Sequence, residues 1–233
     1  MKRSVIVIGL CAGMLLCGLA GGQQPKAARK TARGAWGVHK SASTDASLPR
    51  VLLIGDSIVN GYRAPVTKML EGKARVDCWV TGMNLNSGNL RKQLADVLDD
   101  ESYAVVHFNI GLHGWPPGRI PEGQYEPLMR AYVKTLKQHA PKAKLIWAST
   151  TPVTVRDKPQ ELDPQIEPTI VGRNAIAARV MKDNKIPVND LHALTVGRLE
   201  LAKGDKFHWK GEGYAVMARA VSQAILKALV TAR

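Results

Sequence analysis

The feature that most constrains the fold is an alternation of short apolar runs and amphipathic helical segments from Val51 onward. The run Val51-Leu52-Leu53-Ile54 contains no polar residue, which is typical of a strand buried on both faces of a sheet. Strands are predicted at 51–54, 76–80, 104–108, 144–148 and 186–189. Helices are predicted at 57–72, 87–98, 123–139, 170–184 and 211–230, with a Pro-rich loop at 151–168. This alternation predicts one α/β domain at 50–233, with a parallel sheet between two layers of helices.

The first 22 residues have the pattern of a secretory signal peptide. Lys2-Arg3 forms a basic start, residues 5–16 are free of charge and largely apolar, and small residues follow. The apolar run is short for a membrane-spanning helix, which needs about 20 such residues. We therefore expect cleavage after Ala20 or Gly22, a secreted or periplasmic location, and no stable membrane insertion after the signal is removed.

Residues 23–49 are rich in Ala, Lys, Arg, Ser and Gly and show no apolar periodicity, which predicts a flexible basic linker. The formal net charge of the whole chain is +14. About half of that charge lies in the predicted signal and linker, so the domain itself is only moderately basic. Nucleic-acid binding would rest on charge alone, and we do not expect a nucleic-acid partner.

Cysteine usage limits the covalent chemistry of the domain. Of the three cysteines, Cys11 and Cys17 would leave with the signal peptide, and only Cys78 would remain. The exported protein would then have no internal disulfide. Cys78 lies in an apolar run and is predicted to be a core residue.

Candidate catalytic residues follow the first strand and precede the last helix. Ligands of parallel sheets bind beyond the carboxyl ends of the strands, and Gly55-Asp56-Ser57-Ile58 comes directly after the first strand. A serine at the start of a helix could be a plain N-cap, or a nucleophile whose own N–H faces a developing oxyanion. Asp205 and His208 are three residues apart, so the carboxylate can hold the imidazole as a base towards Ser57.

These two blocks resemble those of the SGNH/GDSL hydrolases over residues 50–230. The Gly-Asp-Ser-Ile at 55–58 is similar to the family's first block, and Asp205-x-x-His208 is similar to its last block. The resemblance implies a flavodoxin-like α/β/α sandwich whose five parallel strands have the order 2-1-3-4-5. It also implies ester hydrolysis by Ser57 as nucleophile, His208 as base and Asp205 as its orienting acid, without a metal or cofactor.

The middle blocks depart from the family pattern. The family has a glycine after the second strand whose N–H completes an oxyanion hole, and Gly82 is the first choice here, with Gly88 as the alternative. After the third strand the family has Gly-x-Asn-Asp, where this chain has Gly-Leu-His-Gly at 111–114. His113 then takes the place of the Asn donor, as in a subgroup of secreted bacterial sequences that it resembles. A neutral imidazole can still donate one N–H. Asn109 is the alternative donor.

Substrate hints come from aromatic residues beside these blocks. Trp115 follows the third block and Trp209 follows His208, so both are candidates for stacking on sugars, although either could instead close the core. We expect an esterase for small acyl groups, O-acetyl in particular, on carbohydrate. A lipid esterase or thioesterase, a glycan O-acyltransferase and an inactive glycan-binding module remain alternatives.

Overall fold

The computed structural model describes residues 36–230. The predicted signal peptide at 1–22 and the linker up to residue 35 lie outside the described residues. Within the described range, no helix combines the length and the apolar composition that crossing a lipid bilayer requires.

The described chain forms eight strands and six α-helices. The strands are β1 (Gly37–His39), β2 (Arg50–Gly55), β3 (Arg75–Val80), β4 (Val105–Phe108), β5 (Lys144–Ala148), β6 (Thr154–Val155), β7 (Lys158–Leu162) and β8 (Val188–Asn189). The helices are α1 (Ser57–Met69), α2 (Leu90–Leu98), α3 (Tyr125–His139), α4 (Glu167–Asp183), α5 (Leu191–Val196) and α6 (Gly211–Val230). The predicted strands and helices are all present, with ends that differ by a few residues.

The main sheet has the order β1-β3-β2-β4-β5-β8. Its five parallel strands, taken in chain order, have the predicted order 2-1-3-4-5, so this prediction is confirmed. The sheet has a sixth strand that was not predicted, because β1 pairs antiparallel with β3 at one edge. The loop predicted at 151–168 also differs, since β6 and β7 form a small antiparallel hairpin within it.

Helices cover both faces of the sheet, and the sheet separates the core into two clusters. On β2, Val51 and Leu53 pack with residues of α1 and α6, whereas Leu52 and Ile54 pack with residues of α2, α3 and α4. All four side chains are fully buried, as their apolar run predicts. The central position of β2 places its carboxyl end, and hence the start of α1, in the middle of one sheet edge.

The linker prediction for 23–49 is wrong for its last part. In β1, Gly37 and His39 pair with Val80 and Cys78, so the folded domain begins before residue 50. The sequence shows too short an apolar pattern to reveal this strand, because a three-residue edge strand takes its stability from contacts with distant residues.

A buried carboxylate anchors the segment that follows β1. The side chain of Asp77 is inaccessible to solvent and lies 2.9 Å from Arg50 Nη1. The same carboxylate accepts hydrogen bonds from the Ser41 N–H at 2.8 Å and from the Tyr103 hydroxyl at 3.2 Å. Lys40 Nζ is 3.4 Å from it. One acid on β3 therefore holds both the N-terminal segment and the start of β2.

Replacing Asp77 should destabilise the domain strongly. In Asp77→Asn, Arg50 loses its buried counter-charge, and removing one partner of such a pair costs about 3–5 kcal/mol. Urea unfolding measures this loss. Glu161→Gln is the matched control, because the Lys158–Glu161 pair is exposed and contributes at most about 1 kcal/mol. An equally small effect in both variants would contradict the anchoring role of Asp77.

Candidate active site

The turn from β2 into α1 positions Ser57. Asp56 is the N-cap of α1, and its Oδ1 accepts a hydrogen bond of 2.9 Å from the Ile58 N–H. Gly55 makes the turn possible, since a Cβ at this position would lie 2.1 Å from Val59 Cγ2. Ser57 is the first residue of the helix, where a backbone N–H has no partner within the helix. The hydroxyl and this N–H are thus both available at the sheet edge.

A short loop before α6 presents His208. The loop is closed by a bridge between Ala202 and Trp209 and by a hydrogen bond of 2.8 Å from the Lys203 N–H to the His208 carbonyl. Asp205 Oδ1 accepts hydrogen bonds from the backbone N–H groups of His208 at 2.8 Å and Phe207 at 3.2 Å. The same carboxylate therefore shapes the loop that carries the imidazole.

The structure brings Ser57, His208 and Asp205 into one hydrogen-bonded chain. His208 Nδ1 lies 2.9 Å from Asp205 Oδ2, and His208 Nε2 lies 2.9 Å from Ser57 Oγ. Burial raises the pKa of Asp205, but the hydrogen bonds from His208 and Phe207 lower it by more, so its pKa lies below the ordinary 3.8. Asp205 thus stays ionised and can hold the Nδ1 proton, which leaves Nε2 as an acceptor for the hydroxyl proton.

Packing between α1 and α6 supports this alignment. A Cβ on Gly61 of α1 would lie 2.2 Å from the ring of Tyr214 on α6, so the two helices approach closely here. Burial raises the pKa of Tyr214 to about 12, so the phenol is neutral. Since α1 begins at Ser57 and α6 follows the His208 loop, this contact fixes one catalytic candidate relative to the other.

Gly82 and His113 lie together at the same edge. A Cβ on Gly82 would be 3.7 Å from His113 Cε1. The strand order is consistent with this, because β3 and β4 flank β2 and the loops that follow them begin at the same sheet edge as the turn to Ser57. The Thr81 N–H donates to the Gly55 carbonyl at 2.7 Å, which continues the pairing of β3 with β2 up to the turn.

The buried carboxyl group of Asp56 interacts electrostatically with His113 and His208. Burial raises the pKa of Asp56, and the hydrogen bond from Ile58, His113 and His208 oppose this effect only in part. Both imidazoles therefore lie within electrostatic reach of one buried carboxyl group.

The two alternative oxyanion donors are placed differently. Asn109 directs its Nδ2 to the Ala148 carbonyl at 2.8 Å and to Thr150 Oγ1 at 3.1 Å. Its amide N–H groups are thus engaged in joining β4 to the end of β5. Gly88 is exposed, and a Cβ there would meet no atom within 4 Å. Gly82 and His113, by contrast, are neighbours.

Two arginines hold the turn that carries His113, and sequence reasoning did not identify this role. Arg119 Nη1 donates to the His113 carbonyl at 2.9 Å, and Arg173 Nη1 donates to the Gly114 carbonyl at 2.5 Å. Arg173 also lies over the Tyr125 ring, 5.2 Å from its centroid. These charged donors restrain the short 3₁₀ turn Leu112–Gly114.

The tryptophans predicted to bind substrate have different environments. Trp209 is only 2% exposed and packs in the core, so its prediction as a substrate-binding residue is wrong. The residue next to His208 points inward because the loop reverses direction there into the bridge with Ala202. Trp115 is half-buried and packs against Phe207, with ring centroids 6.1 Å apart. Trp115 therefore remains a candidate for the wall beside His208.

A third tryptophan, which the sequence analysis assigned to the linker, lies at the site. Trp36 is 49% exposed, and its ring meets His113 edge to face with centroids 5.7 Å apart. No signal in the sequence connects residue 36 with residue 113.

Between residues 36 and 230, no cluster of three or more His, Cys, Asp or Glu side chains is arranged to hold a metal ion.

Comparison with known proteins defines the class of this protein. Residues 53–216 match the model of the GDSL-like lipase/acylhydrolase family. The chain belongs to this family, and it is a hydrolase of ester bonds. Among curated proteins, no sequence matches it significantly.

Solved structures share the fold at low sequence identity. The acetylxylan esterase Axe2 of Geobacillus stearothermophilus is 19% identical, with a TM-score of 0.62 over 76% of this chain and 94% of its own. A GDSL-like lipase of Bacteroides thetaiotaomicron VPI-5482 is 23% identical, with a TM-score of 0.56 over 77% and 88%. The acetyl xylan esterase AlAXEase is 17% identical, with a TM-score of 0.60 over 76% and 99%. The expected sandwich fold is thus confirmed.

Proposed function

We propose that this protein is an exported serine esterase that removes small acyl groups, O-acetyl in particular, from carbohydrate. The observation that carries the proposal is the unbroken chain from Ser57 Oγ through the His208 ring to the Asp205 carboxylate, with both contacts at 2.9 Å. A serine hydroxyl needs such a base to become a nucleophile at neutral pH.

The geometry supports a two-step mechanism. His208 Nε2 accepts the Ser57 proton while Oγ attacks the acyl carbon, and the resulting imidazolium is stabilised by Asp205. His208 then donates this proton to the departing sugar hydroxyl, which leaves the acyl group on Ser57. In the second step, His208 takes a proton from water while the water oxygen attacks the acyl carbon. As the bond from Ser57 Oγ to the acyl carbon breaks, His208 returns this proton to Oγ, which releases the carboxylic acid and the free serine.

We infer that three N–H groups stabilise the oxyanion of each tetrahedral intermediate. They are the backbone N–H groups of Ser57 and Gly82 and one ring N–H of His113. The first lies at the positive end of α1, and the other two come from the loops on either side of it. Donors fixed before the reaction stabilise the developing charge without reorganisation, and they are a major source of catalysis in such sites.

Two observations support an acetylated carbohydrate as substrate. Aromatic rings with accessible surface lie near the proposed catalytic residues: Trp36 packs beside His113, and Trp115 packs against Phe207, the residue before His208. Aromatic faces suit the C–H surfaces of sugar rings. In addition, several solved structures with this fold are acetyl xylan esterases.

The proposed export rests on the N-terminal sequence. Lys2-Arg3, the uncharged run at 5–16 and the small residues up to Gly22 form a signal peptide pattern. Cys78, the one cysteine that would remain after cleavage, is buried and free.

Export predicts a defined mature N-terminus. Protein recovered from the periplasm or medium of a bacterial host should begin at Gly21 or Gln23, because cleavage follows Ala20 or Gly22. N-terminal sequencing measures this directly. Recovery of the chain in the cytoplasm with Met1 still attached would contradict export.

Replacing Ser57 should abolish hydrolysis. We expect Ser57→Ala to lower kcat by about 10⁵-fold on acetylated xylo-oligosaccharides and on p-nitrophenyl acetate, because no nucleophile remains. The control is Ser47→Ala, an exposed serine in the segment before β2, which should retain activity. Substantial acetyl release by Ser57→Ala would contradict the mechanism. A wild-type preference for long-chain p-nitrophenyl esters over the acetate would instead contradict the small acyl group.

Replacing His113 tests the oxyanion donor that distinguishes this chain from the usual family pattern. His113→Ala should lower kcat by about 10²–10³-fold and change KM little, because the lost hydrogen bond acts on the charged intermediate. The control is His139→Ala. His139 ends α3, which leads to the amino end of β5, away from the carboxyl ends of the strands. An unchanged kcat would remove His113 from the site.

A further inference from the structure

The ring of Trp36 contacts both loops that supply the proposed oxyanion donors. Its Cζ3 and Cη2 atoms lie 3.6 and 3.8 Å from the position of a Cβ on Gly82. The planes of the Trp36 and His113 rings form an angle of 79°, so the two rings meet edge to face. The indole therefore packs against Gly82 and His113. Trp36 itself precedes the region at 53–216 that matches the family.

The environment of Trp36 differs from that of a core tryptophan. Trp147 and Trp209 are each 2% exposed, whereas 49% of Trp36 remains accessible. The other exposed large apolar residues of the described chain are aliphatic: Leu162, Val171, Val188 and Val230. An exposed indole at the rim of a site is a solvent-accessible apolar surface that a ligand can cover.

The backbone that follows Trp36 is held in place by the sheet. Gly37, the next residue, starts the pairing of β1 with β3. Lys40, one residue beyond the strand, lies 2.7 Å from Asp100 and 3.4 Å from Asp77. A platform that is ordered before binding loses little conformational entropy when a ligand arrives.

We propose that Trp36 forms a carbohydrate subsite, on which a pyranose ring of the substrate main chain stacks while the acylated sugar lies at Ser57. This inference rests on the proposed function and deepens it. A chain of sugars that continues from the acylated sugar past the Gly82 and His113 loops reaches Trp36, which packs against both loops. Arg119, exposed and bonded to the His113 carbonyl, supplies further N–H donors for sugar hydroxyls beside this subsite.

The subsite predicts a loss that depends on substrate length. In Trp36→Ala, the ratio of kcat/KM for an acetylated xylo-oligosaccharide to that for p-nitrophenyl acetate should fall about tenfold, mainly through KM, because only the longer substrate reaches the indole. Trp36→Tyr should restore most of this ratio, since it keeps an aromatic face. Leu162→Ala, which removes another exposed apolar side chain, is the control and should leave the ratio at its wild-type value.

Binding without turnover separates this proposal from the proposed chemistry. Calorimetry with unacetylated xylohexaose should give a Kd about tenfold higher for Trp36→Ala than for the wild type, and this measurement needs no intact nucleophile. An unchanged Kd would overturn the subsite even if Ser57 proves to be the nucleophile. Equal losses of kcat/KM on the long and the short substrate would also overturn it, because they would show that Trp36 acts only by holding His113.

Discussion

The hydrogen bond between Ser57 and His208 joins residues 151 positions apart, and the rest of the site depends on it. It requires that the end of the central strand and the loop before the last helix meet at one sheet edge. The crossover topology provides this meeting, and the close contact of α1 and α6 at Gly61 and Tyr214 fixes its distance. Asp205 then sets the orientation of the imidazole through both its carboxylate oxygens. The geometry of the candidate site thus depends on the packing of α1 against α6 and on the hydrogen bonds of Asp205.

The fold was largely readable from the sequence because its central strands are buried on both faces. A run such as Val51-Leu52-Leu53-Ile54 can be stable only between two apolar layers, and the alternation with helices then leaves few topologies. The elements that were missed lack such a signal. β1 is short and is held by pairing with β3 and by the Asp77 cluster, and both contacts are distant in sequence. The β6–β7 hairpin likewise consists of short strands with exposed, polar residues.

The candidate site shows the same division between local and distant information. Ser57, Asp205 and His208 can be proposed from the sequence because each lies in a local pattern, a strand-to-helix turn or an Asp-x-x-His loop, and the structure brings their side chains into contact. Trp209 was misassigned because adjacency to His208 in sequence does not fix the direction of its side chain, and the chain turns back into the core there. Arg173 and Trp36 could not have been found, since their importance lies in contacts with Gly114 and His113 that only the folded chain creates.

Activation of the Ser57 hydroxyl by His208 and Asp205 is the step on which the proposed function depends. It is tested most directly by treating the wild-type protein with a fluorophosphonate ester at neutral pH and mapping the adduct by mass spectrometry of its peptides. The structure predicts one adduct per chain, on the peptide that contains Ser57, and slow labelling in a His208→Ala variant, which lacks the base. An unlabelled protein, or an adduct on another serine while Ser57 stays free, would contradict the account.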